Sequence, residues 1–213
     1  PVLVQASLEH AQALSGEVRM HLTETQIDPQ TGLPGLFSML EQMRLADVYL
    51  HLDDAQFSKG GVLNRVQIKT PEGSSWLTVP LAEKKLGQAL NQCRLAAHDW
   101  QRKHLATLRH AYAKAPFVGE MLTLVERVIT QKHDSLAALG AASMESLVEY
   151  FEVLPTDIRW SSQLETPGSG SSRVLELCQA LKAERYVTGH GARNYLDHEA
   201  FETAGVQVDY LNY

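Results

Sequence analysis

The stretch that decides the fold is residues 173–210, RVLELCQALKAERYVTGHGARNYLDHEAFETAGVQVDY, in which two apolar patterns alternate. Apolar residues recur at helical spacing over Arg173–Leu181 and Tyr195–Ala204, whereas short β-rich runs cover Tyr186–Thr188 and Val206–Tyr210. Strands that alternate with helices at such short intervals predict parallel pairing through helical crossovers. This part of the chain therefore predicts an α/β architecture.

The chain opens with the same alternation. We predict a strand over Val18–Leu22, a helix over Phe37–Ala46 and a strand over Asp47–Leu52, with a further strand at Ile158–Trp160. Together with residues 173–210, these elements predict an α/β fold whose mostly parallel, Rossmann-like sheet is covered by helices.

A different pattern fills the middle of the chain. Two β-rich runs, Arg65–Lys69 and Ser75–Leu81, flank turn-forming residues and predict a β-hairpin. Apolar stripes at helical spacing then predict a helical insertion at about residues 97–153. Because no internal repeat or long linker occurs, we predict a single domain over residues 18–213 that follows an N-terminal appendage at 1–17.

The composition restricts the functional class. The 213 residues include 19 Lys and Arg against 25 Asp and Glu, so the net charge of -6 offers no basic surface to a nucleic-acid backbone. No apolar run reaches the roughly 18 residues of a membrane span, and the N-terminus lacks a signal-peptide pattern. We therefore expect a cytoplasmic protein with neither a nucleic-acid partner nor a membrane span.

Cysteine and histidine usage gives no sign of a metal. Cys93 and Cys178 lie far apart without a CxxC pair, which excludes a disulfide framework and a thiolate zinc cluster. The nine histidines supply no ligand set by spacing, and even His51 and Asp53 lack an identifiable third ligand. We predict no metal site. Leucines flank Cys178 and indicate a buried thiol, whereas the polar neighbours of Cys93 leave its role open.

Ligands of open parallel sheets bind beyond the carboxyl ends of the strands. Three loops are predicted at such ends, at residues 53–59, 167–172 and 188–195. In the first loop, Asp53 and Asp54 would orient a base, bind a cation or hold a substrate amine or hydroxyl. Alternatively, Asp54 caps a turn and Asp53 is solvated.

The second loop is rich in small residues. Gly168 and Gly170 would allow backbone N–H groups to approach an anion, and Arg173 would add a charged fork. A plain connection from strand to helix fits the same residues.

In the third loop, Gly189 and Gly191 flank His190, and histidine is a residue type able to transfer protons near neutral pH. We predict Gly189, His190 and Tyr195 as substrate-binding residues of this loop. The alternative is a flexible turn with an exposed histidine.

His104 differs from an ordinary surface histidine. It lies four residues after Trp100 and four before Leu108, so it shares a helix face with apolar groups. On spacing alone, a histidine satisfied at the boundary of the core is the default.

Several motifs in order resemble the WbqC-like family over about residues 18–211. They are Leu52–Lys59, Asn64-Arg65, Ile68–Gly73, Trp76–Pro80, Trp100–Leu105, Tyr112–Phe117 and Tyr186–Gly189. The resemblance implies an enzyme of bacterial O-antigen or specialised-metabolite biosynthesis, with a suggested transfer of glycine or another acyl unit to a sugar amine. It also implies candidate site residues at the polar motif positions, which are Asp53, Asp54, Gln56, Lys59, Asn64, Arg65, Lys69 and His104.

The chain departs from the family pattern at two places. At residues 28–37 it lacks a Gln-Pro pair and several aromatic residues, and near Lys59 it carries Val62 and Val66 where the family has a Trp and an Asn. The loss of aromatic and amide side chains indicates a different substrate or a different reaction on the same scaffold.

The favoured reaction is transfer of an acyl or aminoacyl group from a thioester, either coenzyme A or the phosphopantetheine of a carrier protein, to an amine or hydroxyl. We predict His104 as the base, Asp54 as its orienter or the acceptor anchor, and Asn64 with Arg65 or Lys69 as the oxyanion or carboxylate grip. The substrate would be a small molecule or bound to a carrier protein, no cofactor would stay bound, and a homodimer is left open.

Two alternatives stay open. The order of a strand, a Pro/Gly loop, a helix and an Asp-tipped strand fits a nucleotide-handling enzyme. No HxGH-type histidine pair occurs between Asp28 and Phe37, which counts against adenylyl transfer. A non-catalytic binding or scaffold subunit would retain the fold without the aromatic signature.

Overall fold

The structure, a computed structural model, describes residues 19–23, 40–57, 63–85, 87–97, 99–153 and 157–211. These residues form two compact units, of which the second runs from Asp53 to Leu147 and the first contains the described residues on either side of it. The predicted appendage at 1–17 and the atypical motif at 28–37 lie outside the described residues. A single domain over 18–213 stays a prediction.

The elements follow the predicted order. Within the described residues, the strands are β1 (Arg19–Thr23), β2 (Val48–His51), β3 (Arg65–Thr70), β4 (Gly73–Thr78), β5 (Asp157–Trp160), β6 (Arg185–Thr188) and β7 (Gln207–Tyr210). The helices are α1 (Trp100–Ala111), α2 (Val118–Ile129), α3 (Leu136–Tyr150), α4 (Gly170–Ala180) and α5 (His198–Thr203), and residues 40–45 are also helical. Short 3-10 helices cover Leu90–Gln92, Ser161–Leu164 and His190–Asn194.

The first unit contains a five-stranded sheet in which every pair is parallel. The strands lie in the order β5-β2-β1-β6-β7, so the first described strand, β1, lies in the middle and the strand order reverses there. All four residues of β2 are buried, as expected for a parallel strand that is covered on both faces. The predicted α/β class with a mostly parallel sheet and covering helices is confirmed.

Helices α4 and α5 cover one face of this sheet. In α4, Val174, Leu177 and Cys178 recur at helical spacing and pack against Leu50 of β2 and Phe201 of α5 in one buried cluster. The predicted burial of Cys178 is confirmed, and this burial raises the pKa of its thiol to about 12. The apolar stripe read from the sequence is therefore the core of the unit.

Two helix boundaries differ from the prediction. Helix α4 begins at Gly170 rather than Arg173, because Gly168 and Gly170 adopt φ angles of 114° and 63° that turn the chain into the helix earlier. The helix predicted from Tyr195 starts only at His198, where the Asp197 carboxylate accepts a hydrogen bond from the Ala200 N–H at 3.2 Å.

The second unit contains the predicted hairpin and the helices of the predicted insertion. Strands β3 and β4 pair antiparallel with Thr70 opposite Gly73, so a two-residue turn joins them, and β4 ends at Thr78 rather than at Leu81. Gly73 takes a φ of 128°, a backbone conformation that favours glycine. The buried cluster of this unit comprises Trp100, Leu105, Val128, Ile129 and Leu139.

Cys93 belongs to the interior of the second unit. It is fully buried, its Sγ lies 3.3 Å from the Ala89 carbonyl oxygen, and its own carbonyl accepts the Leu136 N–H at 2.8 Å. Burial raises the pKa of the Cys93 thiol. The role left open by the sequence is therefore that of a structural thiol.

None of the helices in the described ranges combines the length and the hydropathy of a membrane span.

We expect Phe201→Ala to lower the free energy of unfolding by about 3–5 kcal/mol, because it opens a cavity in the core of the first unit. Phe201 is 1% exposed, and its ring stacks on that of Tyr186 with 5.8 Å between the centroids. Urea unfolding followed by circular dichroism measures the loss. Phe201→Leu is the control and should cost less, because it retains most of the buried apolar surface. An alanine variant within about 1 kcal/mol of wild type would contradict this core assignment.

Candidate functional site

The predicted site residues between Asp53 and His104 belong to the second unit. Lys59 falls outside the described residues. The predicted residues Arg173, Gly189, His190 and Tyr195 belong to the first unit. Each unit therefore presents its own group of candidate side chains.

Asp53 is a buried anchor rather than a solvated carboxylate. It is 6% exposed, its Oδ2 accepts a hydrogen bond from Asn91 Nδ2 at 3.0 Å, and its carbonyl oxygen accepts the Asn91 N–H at 2.7 Å. The alternative in which Asp53 is solvated is wrong. Asp54 is half-buried, and the exposed Gln56 forms a β-bridge with Ala89. Asp53 thus ties its loop to the 3-10 helix Leu90–Gln92.

Asn64 closes the open end of the hairpin. Its Nδ2 donates to the Val79 carbonyl at 2.8 Å, and its own carbonyl accepts the Val79 N–H at 2.8 Å. Asn64 is 7% exposed, so its buried side chain serves to hydrogen-bond the backbone of the second unit. The geometry makes Asn64 a positioning residue for the segment that follows β4.

The predicted cations of the hairpin lie on one face of it. The register places Arg65 opposite Thr78 and Gln67 opposite Trp76, so Arg65 and Trp76 are diagonal neighbours. The Arg65 guanidinium carbon lies 4.4 Å from the centroid of the Trp76 ring, which is 44% exposed. The exposed Lys69 follows on the same face of β3, and its backbone N–H donates to the Tyr112 hydroxyl at 3.3 Å. This face presents two cations beside an exposed indole.

His104 is held by the backbone of the hairpin. Its Nε2 lies 3.0 Å from the Thr78 carbonyl oxygen, and its ring meets that of Trp100 edge-on with 5.0 Å between the centroids. A carbonyl oxygen only accepts, so Nε2 carries the hydrogen. In the neutral ring, the lone pair then lies on Nδ1. The Thr78 carbonyl orients this ring, a role that we predicted for Asp54, and the alternative role of Asp54 as the acceptor anchor stays a prediction.

The protonation of His104 follows from its half-buried position. Burial lowers the pKa of His104 from its ordinary value of 6.5, and the hydrogen bond to the Thr78 carbonyl opposes this shift. The imidazole is therefore mostly neutral at pH 7. A neutral ring with a fixed Nε2–H and a basic Nδ1 has the chemistry of a general base.

In the first unit, the second predicted loop contacts the start of α5. The Ser171 hydroxyl accepts a hydrogen bond from the Asp197 N–H at 2.8 Å, which joins the start of α4 to the start of α5. Arg173 is partly buried, and its Nε donates to the Thr166 carbonyl at 3.0 Å. Arg173 therefore contacts the backbone of its own loop, and its predicted role as a charged fork for an anion stays a prediction.

The third loop forms an aromatic and basic cluster at the end of β7. The His190 ring lies parallel to the Tyr210 ring at 6.0 Å, the Arg193 guanidinium carbon is 4.6 Å from the Tyr210 centroid, and His198 Nε2 is 3.1 Å from the Tyr210 hydroxyl. We name His190, Arg193, His198 and Tyr210 the Tyr210 cluster. Gly189 precedes this cluster in the chain, and the exposed Tyr195 follows its 3-10 helix.

Sequence reasoning found only His190 of this cluster. The signal that could have found Tyr210 is the pairing of β6 with β7, which places Thr188 opposite Tyr210 and brings the residue after β6 beside the end of β7.

The described residues contain no group of three or more His, Cys, Asp or Glu side chains arranged to hold a metal ion. His51 is 4% exposed and packs between aromatic rings, with centroids 5.1 Å from Tyr49 and 4.9 Å from Trp160.

Comparison with known proteins places most of the chain in one family model. The model of the WbqC-like protein family matches residues 34–213. The uncharacterized protein Rv1507c of Mycobacterium tuberculosis is 27% identical over 169 residues, which cover 78% of this chain and 73% of that protein. No solved structure matches the chain.

We expect His104 to titrate below pH 6.5 and to show the Nε2–H tautomer in its neutral form, because burial disfavours the imidazolium and Thr78 accepts from Nε2. Long-range proton–nitrogen NMR over a pH series measures both properties. The ring signals that are missing from the spectrum of the His104→Gln variant are those of His104. A midpoint above 6.5 or an Nδ1–H tautomer would refute this description of the ring.

Proposed function

The chain belongs to the WbqC-like protein family, as its motifs predicted, and on that premise we propose that it is an acyl or aminoacyl transferase that uses a thioester donor. The acceptor would be an amine or a hydroxyl. The observation that carries the proposal is the neutral His104 ring, whose Nε2–H is held by Thr78 and whose Nδ1 bears the lone pair.

In the proposed reaction, Nδ1 of His104 takes a proton from the acceptor amine or hydroxyl. The acceptor atom then bonds to the thioester carbonyl carbon, and the carbonyl oxygen becomes an oxyanion. Collapse of this intermediate breaks the carbon–sulfur bond, and the departing thiolate takes the proton back from the imidazolium. A base in this position typically contributes about 10²- to 10⁴-fold to the rate.

The cysteines support direct transfer rather than an acyl-enzyme on sulfur. Cys93 and Cys178 are both fully buried, and burial raises the pKa of each thiol. A nucleophilic cysteine needs an accessible thiolate. The proposed mechanism therefore includes no acyl-cysteine intermediate.

The cations of the hairpin support the handling of negative charge. We propose that Arg65 and Lys69 stabilise the oxyanion of the intermediate or bind a substrate carboxylate, since both lie on the exposed face of β3. Asn64 donates to the Val79 carbonyl, so we assign it a supporting role for the backbone of the hairpin rather than a contact with the substrate.

The strand order supports the finer description of the first unit. A sheet whose order reverses at its first described strand, with β2 and β5 on one side and β6 and β7 on the other, follows the 3-2-1-4-5 part of the Rossmann strand order. We propose this relationship, together with a cytoplasmic location and a role in bacterial polysaccharide or specialised-metabolite biosynthesis, where thioester donors would be supplied by coenzyme A or a carrier protein.

We expect His104→Gln to lower the transfer rate by about 10²- to 10⁴-fold, because glutamine cannot take the acceptor proton. The assay follows thiol release from acyl-coenzyme A and acyl-pantetheine with a panel of amino sugars and other amines. The matched control is His110→Gln, an exposed histidine on the same helix, which should retain the wild-type rate. Equal rates for the His104 variant and the control, with any active pair of substrates, would remove His104 from the mechanism.

We expect kcat/KM to hold as the pH falls to 6.5 and to decline only at lower pH. The lowered pKa of His104 keeps Nδ1 unprotonated until the pH passes below that value, after which the imidazolium has no lone pair. A pH profile of the transfer rate measures this limb. A rate that rises on acidification would contradict the role of a neutral base.

A further inference from the structure

The Tyr210 cluster lies where the first unit presents the carboxyl ends of two neighbouring strands. His190 and Arg193 belong to the 3-10 helix that follows β6, Tyr210 ends β7, and His198 begins α5. Strand β6 adjoins β1, the strand at which the order of the sheet reverses. Open parallel sheets bind ligands at this edge and near this reversal. We propose that the Tyr210 cluster binds the phosphate group of a small phosphorylated ligand.

Arg193 supplies the fixed positive charge of this site. Its guanidinium lies against the Tyr210 ring, and it forms no hydrogen bond or ion pair with any residue of the described ranges. The neighbouring Arg185 differs, because its donors include a contact with Asp209 at 3.2 Å. A guanidinium restrained on an aromatic ring keeps its N–H fork available for a bidentate contact with an oxyanion.

Tyr210 and His198 supply further donors. Burial raises the pKa of Tyr210, while Arg193 opposes the shift, so the phenol keeps its hydrogen at neutral pH. When Nε2 of His198 carries no hydrogen, the phenol donates to it. When Nε2 carries a hydrogen, Nε2–H donates to the phenol oxygen, and the phenol hydrogen turns to an incoming anion. The second arrangement is the one that binds the ligand.

The hydrogen-bond donors around the cluster favour a phosphate over a carboxylate. Arg193 carries a guanidinium fork and His190, His198 and Tyr210 are polar groups beside it, and a phosphate group offers more terminal oxygens to such a set of donors than a carboxylate does. Two of the three acidic groups next in the chain are engaged elsewhere, and the third, Glu199, is exposed on α5. Asp209 contacts Arg185 and Gln207, and Asp197 caps α5.

This inference goes beyond the proposed function and does not require acyl transfer. It assigns a ligand class, a phosphate ester, to a site in the unit that does not contain His104. Coenzyme A and phosphopantetheine both belong to that class.

The test is calorimetric titration of the full chain with inorganic pyrophosphate, with sodium chloride adjusted to a constant ionic strength. We expect saturable binding that Arg193→Gln weakens by about 10-fold or more, since hydrogen bonds between charged partners are lost. Tyr210→Phe keeps the ring and removes the hydroxyl, so it should weaken binding by a smaller factor. The matched control is Arg109→Gln, which removes the same charge from an exposed arginine of α1 and should bind as wild type does.

Three results would overturn the site: no saturable binding, equal losses in the Arg193 and Arg109 variants, or malonate binding as tightly as pyrophosphate. Circular dichroism melting of each variant separates lost binding from lost folding. His104→Gln should leave pyrophosphate binding unchanged, so a failure of the phosphate site and a failure of the proposed acyl transfer are distinguishable.

Discussion

Parallel pairing of the five strands is the constraint on which the first unit depends. Because the strands all run in one direction, each connection must return across a face of the sheet, and the returning helices bury those faces. The same pairing sets Thr188 opposite Tyr210, which brings the segment after β6 against the end of β7. The stacking of His190 and Arg193 on Tyr210 follows from that register.

In the second unit, backbone groups position the side chains that carry chemistry. Asn64 joins the two ends of the hairpin through Val79, and the adjacent Thr78 carbonyl selects which nitrogen of His104 bears the hydrogen. A carbonyl cannot titrate, so this orientation does not depend on the ionisation of a neighbouring carboxylate. The arrangement separates the control of the histidine tautomer from the pH of the solution.

The fold was largely predictable because its elements are local patterns. The apolar spacing of α4, the turn residues of the hairpin and the short runs of β6 and β7 are visible in the sequence and appear in the structure. The site was less predictable. The spacing around Trp100 singled out His104, but its partner is a backbone carbonyl 26 positions away, and a carbonyl has no residue type to search for.

The Tyr210 cluster escaped sequence reasoning for a different reason. Arg193 lies in a 3-10 helix that the apolar spacing did not predict, and His198 begins α5 three residues after the predicted start, where Asp197 caps the helix. These boundaries depend on capping and on packing between elements, which periodicity does not encode. Knowledge of the register between β6 and β7 would have placed the residues after Thr188 beside Tyr210.

The placement of the two cysteines gives each unit its own reporter of opening. Cys178 lies in the core of the first unit and Cys93 in the interior of the second, and both are fully buried. A thiol reagent therefore reaches either sulfur only when the surrounding unit opens. The rates of labelling at the two positions, resolved by peptide mass, would show whether the units open together or one before the other, with no mutation introduced into the chain.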